Sequence, residues 1–290
     1  MNRNGVMDHI HTYFITTTLK RAQAAVLFQD VVGNGLKYAL AAKERGTPIV
    51  VVQHGAWAVG DYLPPFNHPL YADKICVWGT RDYKKLINGG VPEKNVALTG
   101  CPLFHKIKPE RIKHKGLNIV FAPSHYDKEI AENIKIMDEL MTIKGTNIYA
   151  KLLSVHKKQY YGNKTVTSNS FDKDHIKKCF NLLRKTDLVV SNEAGTFQLL
   201  AMYFNIPVIY IDNVKEMPTK DTLLKKEKIY LHGTFNIDDV EKLPEAIEIN
   251  LKRPDLLEKE RKEELLAGAG IGLPGSPVQK IVETIKGMAK

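Results

Sequence analysis

Cysteine is scarce in this chain of 290 residues: Cys76, Cys101 and Cys179 are the only three, and they lie far apart. That spacing supplies neither a disulfide framework nor the paired thiols of a zinc site. No apolar run reaches the roughly 20 residues of a spanning helix, and residues 1–15 are too polar for a signal-peptide core. Internal repeats and biased segments are also missing. With 43% hydrophobic and 26% charged residues, 20 Gly and 14 Pro, the composition excludes disordered and collagen-like classes. These absences point to a reduced, cytoplasmic protein of one large or two small domains. Charge is in surplus instead. The chain has 42 Lys and Arg against 32 Asp and Glu, a formal net charge of +10. Such a field attracts nucleotides, phosphorylated sugars, nucleic acid or an anionic membrane face, and it equally describes a solvated basic surface.

Short apolar runs alternate with helix-patterned stretches. The spacing predicts strands over 25–29, 48–53, 74–78 and 95–99, with an opening helix before them and helices over 31–45 and 81–88. The 48–53 run is largely β-branched, as in a strand buried on both faces. From 106 to 115 the chain is basic, carries Pro109 and lacks apolar periodicity, so it reads as a connector. A second series follows, with strands over 118–122, 146–153, 164–167, 187–191, 207–211 and 228–231. Its helices fall at 127–141, 174–183 and 195–204, and three more close the chain at 237–251, 254–266 and 277–288. Alternation of this kind argues parallel sheets with right-handed crossovers. The expected fold class is α/β, two Rossmann-like domains facing across a cleft. A shortened first domain spans 1–105, a connector 106–116, and a second domain with the C-terminal helices 117–290.

In parallel sheets, ligands gather at the carboxyl ends of strands. Gln53-His54-Gly55 directly follows a strand there. A histidine at such a place can take a proton from a hydroxyl, and Gly55 lets the backbone turn sharply. The bland alternative is a loop-capping histidine. Asp30 and Asn34 follow the first strand and, with Gln53 and Gly55, complete this set of candidates. In the second series, Ser191 to Thr196 (SNEAGT) joins a strand to a helix. Free N–H groups at a helix start can hold a phosphate. Gly195 and Thr196 suit that role, and Glu193 suits a sugar hydroxyl, although every α/β protein needs capped turns of this kind. Ser124 and His125 end one strand and Lys151 the next, and all three can serve a diphosphate. His156 follows five residues after Lys151.

Other patterns carry less. Asp172-Lys173-Asp174 matches a bare metal-binding D-x-D, yet its place before a helix favours an N-cap, so no metal site is expected. Gly33-Asn34-Gly35 lacks the dinucleotide fingerprint. His9 and His11 sit in a polar terminus without partners. The basic run Lys106, Lys108, Arg111, Lys113 and Lys115 can track phosphates but reads more simply as a solvated linker.

Taken in order, these segments resemble the two-domain GT-B superfamily of sugar-nucleotide transferases, in particular the CDP-glycerol glycerophosphotransferase group and UDP-N-acetylglucosamine 2-epimerases. The stretch GTPIVVVQHG (46–55) is similar to the strand and His-Gly turn of the former. ADKICVWGTRDYKKLINGGVPEKNVALTGCP (72–102) resembles the segment that closes the first domain in both groups. FAPSHYDKEIAEN (121–133) looks like the opening of their second domain. DLVVSNEAGTFQLLAMYFNIPVIYIDNVKEMP (187–218) is similar to their donor-binding core, and GSPVQKIVETI (275–285) to their closing helix.

The resemblance implies a metal-independent glycosyltransferase or polyol-phosphate transferase without a resident cofactor. His54 is then the base, and Asp30, Asn34, Gln53 and Gly55 lie on the acceptor side. A UDP- or CDP-linked donor lies against Ser124, His125, Lys151, Glu193, Gly195 and Thr196. Two departures bear on this. Epimerases carry a glutamate where this chain has His54, which argues for transfer. The Lys-x-His-Pro of the CDP-glycerol group is here Lys151-Leu-Leu-Ser-Val-His156. A nucleotide-sugar 2-epimerase and a non-catalytic nucleotide-sugar or polyanion-binding protein stay open as alternatives. The acceptor is a cell-surface glycan, a teichoic-type polymer or modified DNA, and the positive charge allows peripheral contact at the inner membrane face. The oligomeric state is not readable.

Overall fold

The computed structural model describes residues 22–28, 30, 33–55, 71–105, 107–124, 130–152, 165–167, 174–193, 195–212 and 231–289. The chain divides into two compact units, Met1–Ile107 with Leu266–Lys290, and Lys108–Leu265.

Unit 1 is built on a four-stranded parallel sheet whose strands β1 (Ala25–Leu27), β2 (Ile49–Val52), β3 (Lys74–Val77) and β4 (Val96–Leu98) lie in chain order. Every residue of β2 is buried, so its run of branched side chains serves both faces. On one face Ile49 and Val51 pack with Ala25 and with Ala39 and Ala42 of α1 (Gly33–Glu44). Further along the sheet Ile75 and Val77 meet Leu86 of α2 (Thr80–Asn88). Burial pushes the Cys76 thiol up to about 11 and Cys101 up to about 12, so neither is a nucleophile at neutral pH.

Unit 2 carries six parallel strands in the order β10-β9-β8-β5-β6-β7: β5 (Leu117–Ala122), β6 (Thr146–Leu152), β7 (Thr165–Thr167), β8 (Leu188–Ser191), β9 (Val208–Ile211) and β10 (Phe235–Ile237). Alternate side chains of the central strands, Ile119, Phe121, Ile148, Leu188, Val190 and Ile209 among them, form one core. They meet Ile136 and Leu140 of α3 (Ile130–Met141) and Leu243 and Ile247 of α6 (Leu243–Lys252). Between them in sequence come α4 (His175–Leu183) and α5 (Thr196–Tyr203), the latter touching β8, β9 and α7 (Glu258–Glu264).

Three expectations change. The last helix, α8 (Pro277–Met288), belongs to unit 1: Ile281, Ile285 and Met288 cover Val50, Val52 and Cys76 on the second face of that sheet. The residues 117–290 therefore do not form one domain. The chain returns to unit 1 through a π-turn at Leu265–Ala269. It makes close backbone passages there, with a Cβ on Gly79 falling 1.9 Å from Ala267 O and one on Gly270 falling 2.2 Å from Trp78 O. A strand that the pattern does not predict forms at Phe235–Ile237, while the expected strand 228–231 lies, except for Leu231, outside the described residues. Asp174 precedes α4, but its side chain makes no capping bond to that helix. Asp172 and Lys173, like the opening helix expected before residue 25 as far as residue 21, lie outside the described residues.

Candidate functional site

In unit 2 the chain leaves β5 towards β6 and β7, then returns to β8 on the other side of β5. The reversal makes the carboxyl ends of β5 and β8 a topological switch point, where open α/β sheets place their ligands. Ser124 follows β5, and Ser191-Asn192-Glu193 ends β8 and begins the turn into α5. A closed ring of amide bonds ties the two together. Asn192 Oδ1 accepts from Ser124 N (2.8 Å), Asn192 Nδ2 donates to Asn133 Oδ1 (2.9 Å), and Asn133 Nδ2 donates to Ser124 O (3.0 Å). All three residues are buried. The Ser191 hydroxyl lies 2.8 Å from Ala122 O and 2.9 Å from Glu193 O. From inside, buried Gln198 accepts from Gly195 N and donates to Glu193 O. The turn that presents Glu193, Gly195 and Thr196 is thus fixed before any ligand arrives.

Lys151 stands near the end of β6, beside this turn. Its ammonium lies 5.6 Å from the centre of the Phe197 ring, in the first turn of α5. Among the described residues no carboxylate is within ion-pair distance of it. Burial pulls Lys151 below the ordinary lysine range, and the sulfur of Cys179 and the carboxylate of Glu193 pull the other way. The structure therefore brings together Ser124, Lys151, Glu193, Gly195 and Thr196 at one end of one sheet. His125 and His156 lie outside the described residues.

In unit 1, His54 is exposed beyond the carboxyl end of β2. Its Nδ1 is 3.0 Å from Phe28 O, and the two rings lie 6.0 Å apart. A carbonyl can only accept, so in the neutral ring Nδ1 carries the hydrogen and the lone pair rests on Nε2. Gln53 holds this turn. Its Nε2 donates to Gly55 O (2.8 Å) and to Asp82 Oδ2 (2.6 Å), and its Oε1 accepts from Trp78 N (2.7 Å). Asp30 Oδ2 accepts from Tyr71 N and Ala72 N at 2.7 and 2.9 Å. Asp30 and Gln53, expected on the acceptor side, are 1% and 2% exposed, so they shape the His54 surroundings from within. Asn34 is exposed at the start of α1, and Gly55 is half-buried.

Asn133, Phe197, Gln198 and Asp82 were not readable as site residues, because each reaches its partner from a helix face. Asn192 sits inside the legible SNEAGT stretch, and its neighbours were the available signal. Two expected results follow from these networks. Asn133→Ala orphans Asn192 Nδ2 and Ser124 O and should cost about 1–3 kcal/mol for each group left unpaired, read as a lowered melting temperature. Burial raises the Asp82 carboxyl, against the Gln53 amide and the charges of Arg81 and Lys85. An acid raised on folding is most favourable when protonated, so its stability is lost as pH climbs from 3.8 through the higher folded value. Asp82→Asn should gain on the parent protein in melting temperature between acid and neutral pH, and a constant difference across that range would remove the burial argument.

Among the described residues no group of three or more His, Cys, Asp or Glu is placed to hold a metal ion, and no helix is long and apolar enough to cross a membrane. No protein-family model and no curated protein matches the sequence. Solved structures do match it. The MnaA–UDP co-structure from S. aureus aligns at 14% identity over 96% of this chain and 78% of that one, with a TM-score of 0.63. The UDP-GlcNAc 2-epimerase from Neisseria meningitidis bound to UDP-GlcNAc aligns at 14% identity over 99% and 83%, with a TM-score of 0.60. HepE from Anabaena in complex with UDP-glucose aligns at 12% identity over 95% and 82%, with a TM-score of 0.57. At such identities the likeness establishes architecture, and the chain has the GT-B-like α/β fold of two Rossmann-type units that these proteins share.

Proposed function

We propose that the protein is a nucleotide-sugar-using enzyme, a glycosyltransferase or polyol-phosphate transferase that needs no metal, with its donor held in unit 2. The observation that carries this is Lys151: a half-buried ammonium with no carboxylate at ion-pair distance among the described residues, standing beside a pre-set helix start at the switch point. A diphosphate supplies the missing anion. In transfer, an acceptor oxygen bonds to the activated carbon or phosphorus while that atom's bond to the nucleotide breaks. The negative charge on the departing nucleotide is met by Lys151 and by the N–H groups at the start of α5. Ser124 and Glu193 suit the remaining donor hydroxyls, and His54 Nε2 takes the acceptor's proton. UDP-linked donors are favoured over CDP, since the three similar structures described above contain UDP, UDP-GlcNAc and UDP-glucose. The acceptor class suggested by the charge is a glycan or anionic polymer.

A thermal-shift screen with UDP-, CDP-, GDP- and dTDP-linked sugars tests the donor site. A ligand at a hundred times its Kd adds about 2.7 kcal/mol of stability, and UDP-linked compounds should give the largest rise. Lys151→Ala should weaken their binding roughly tenfold to a hundredfold, the range of one charge-assisted hydrogen bond. A flat screen, or a Lys151→Ala variant that binds as tightly as the parent, ends the donor-site reading.

A further inference from the structure

The amino ends of β5, β6 and β8 form the edge of unit 2 opposite the switch point. Four lysines gather there. Lys113 and Lys115 lead into β5, Lys144 precedes β6, and Lys185 lies in the turn from α4 into β8. Backbone and amide bonds draw these segments together. Ile112 N donates to Arg184 O (2.9 Å), Asn118 Nδ2 to Lys185 O (2.6 Å), and Asn147 Nδ2 to Asn118 Oδ1 (2.9 Å). A Cβ on Gly116 would meet Asn147 Nδ2 at 3.3 Å and Gly145 O at 3.9 Å.

Two carboxylates of this edge are already matched. Asp187 pairs with Arg111 at 2.8 Å and with His114 at 3.4 Å, and Glu110 faces Arg184 at 3.8 Å. Asp138 and Glu139 stand on the last turn of α3, as Met141 does, so the lysines outnumber the carboxylates left without an ion pair here among the described residues. Lys144 and Lys185 also complement the carbonyl ends of α3 and α4. Lys113 and Lys115 lie ahead of β5 with no helix end to serve, and both are exposed. Among the lysines stand two large apolar side chains in solvent, Ile112 at 50% and Met141 at 64% exposure. A grip on single-stranded nucleic acid would use open aromatic rings, whereas the Tyr149 ring here is covered by the Lys185 ammonium at 5.3 Å.

We propose that this edge is a docking surface for an anionic phospholipid bilayer, with the exposed Lys113, Lys115 and Lys144 meeting headgroup phosphates and Ile112 and Met141 entering the interfacial layer. The proposal does not rest on the transferase reading. Its test is co-sedimentation of the full chain with vesicles of phosphatidylcholine, alone or mixed with phosphatidylglycerol. Binding should occur only to the mixed vesicles and weaken with salt. A lysine near such a surface is worth about 1 kcal/mol, so Lys113→Gln and Lys115→Gln should each lower binding roughly fivefold. Ile112→Ser with Met141→Ser should lower it further, while Lys84→Gln with Lys286→Gln, exposed on α2 and α8, should leave it unchanged. Melting temperatures show that each variant is folded. Failure to bind mixed vesicles, equal binding to both kinds, or equal loss with the Lys84 and Lys286 pair overturns the proposal. So does lysine-dependent binding of free duplex DNA combined with indifference of vesicle binding to the Ile112 and Met141 changes.

Discussion

His54→Ala should lower turnover of a bound donor by about 10²–10⁴, the usual contribution of a positioned general base, and leave donor affinity unchanged. The imidazole is exposed and its Nδ1–H is spent on Phe28 O at 3.0 Å. Its basic lone pair is therefore on Nε2. His54→Asn sharpens the experiment, since the amide can still donate to Phe28 O but cannot act as a base at neutral pH. It should melt with the parent protein and turn over as slowly as His54→Ala. If turnover survives in both variants, His54 is not the base. If turnover and melting temperature fall together in His54→Ala and both recover in His54→Asn, the histidine is structural.

Gly79→Ala should produce the largest loss of stability. Gly79 has φ −125° and ψ 169°, which any residue adopts, so glycine is not needed there for its freedom. It is needed for space. A Cβ would lie 1.9 Å from Ala267 O, 2.5 Å from Ala267 C and 2.9 Å from Gly268 C. All three are backbone atoms, and the π-turn they belong to is held by Cys101 N donating to Ala269 O at 2.9 Å. Relief requires moving one segment off the other, at a cost of about 3–5 kcal/mol, the upper range for single substitutions. The melting temperature should drop on the order of 10 °C. Gly46→Ala is the contrast: φ is +65° with nothing within 4 Å of the added carbon, so only left-handed strain of about 1–2 kcal/mol applies. Equal small losses at both positions would mean that the two backbones are not in contact.

The order of strands and helices was legible because each carries its own periodicity. The β2 run of branched residues and the 3.6-residue pattern of α8 both needed only local reading. What α8 packs against did not follow from that pattern. An amphipathic face reports that it must be covered, not by which sheet, so chain order alone places α8 with the unit nearest in sequence. Phe235–Ile237 was missed as a strand because it has three residues with one buried among them, too few for an alternation to show. In the site, residues at strand ends were found by position: Ser124, Lys151, Glu193 and His54 lie where the carboxyl-end rule puts them. Their supports were not. Asn133 and Asn192 stand 59 residues apart and bond only once α3 lies on the sheet. Gln53 and Asp30 looked like ligand contacts because burial is invisible in a polar residue read alone.

The return of the last segment to unit 1 also sets an order of events on the ribosome. Lys108–Leu265 is one uninterrupted stretch and can complete its core while the rest of the chain is still in the exit tunnel. The sheet of β1 to β4 is synthesised first, yet the cover that its Val50, Val52 and Cys76 face receives among the described residues comes from Ile281, Ile285 and Met288, which emerge last. The part made earliest thus finishes last, and its closing contacts span most of the polypeptide. That long separation makes this step slow. A message cut short or a protease acting before residue 277 would strip Val50, Val52 and Cys76 of that cover, marking such products for aggregation or disposal.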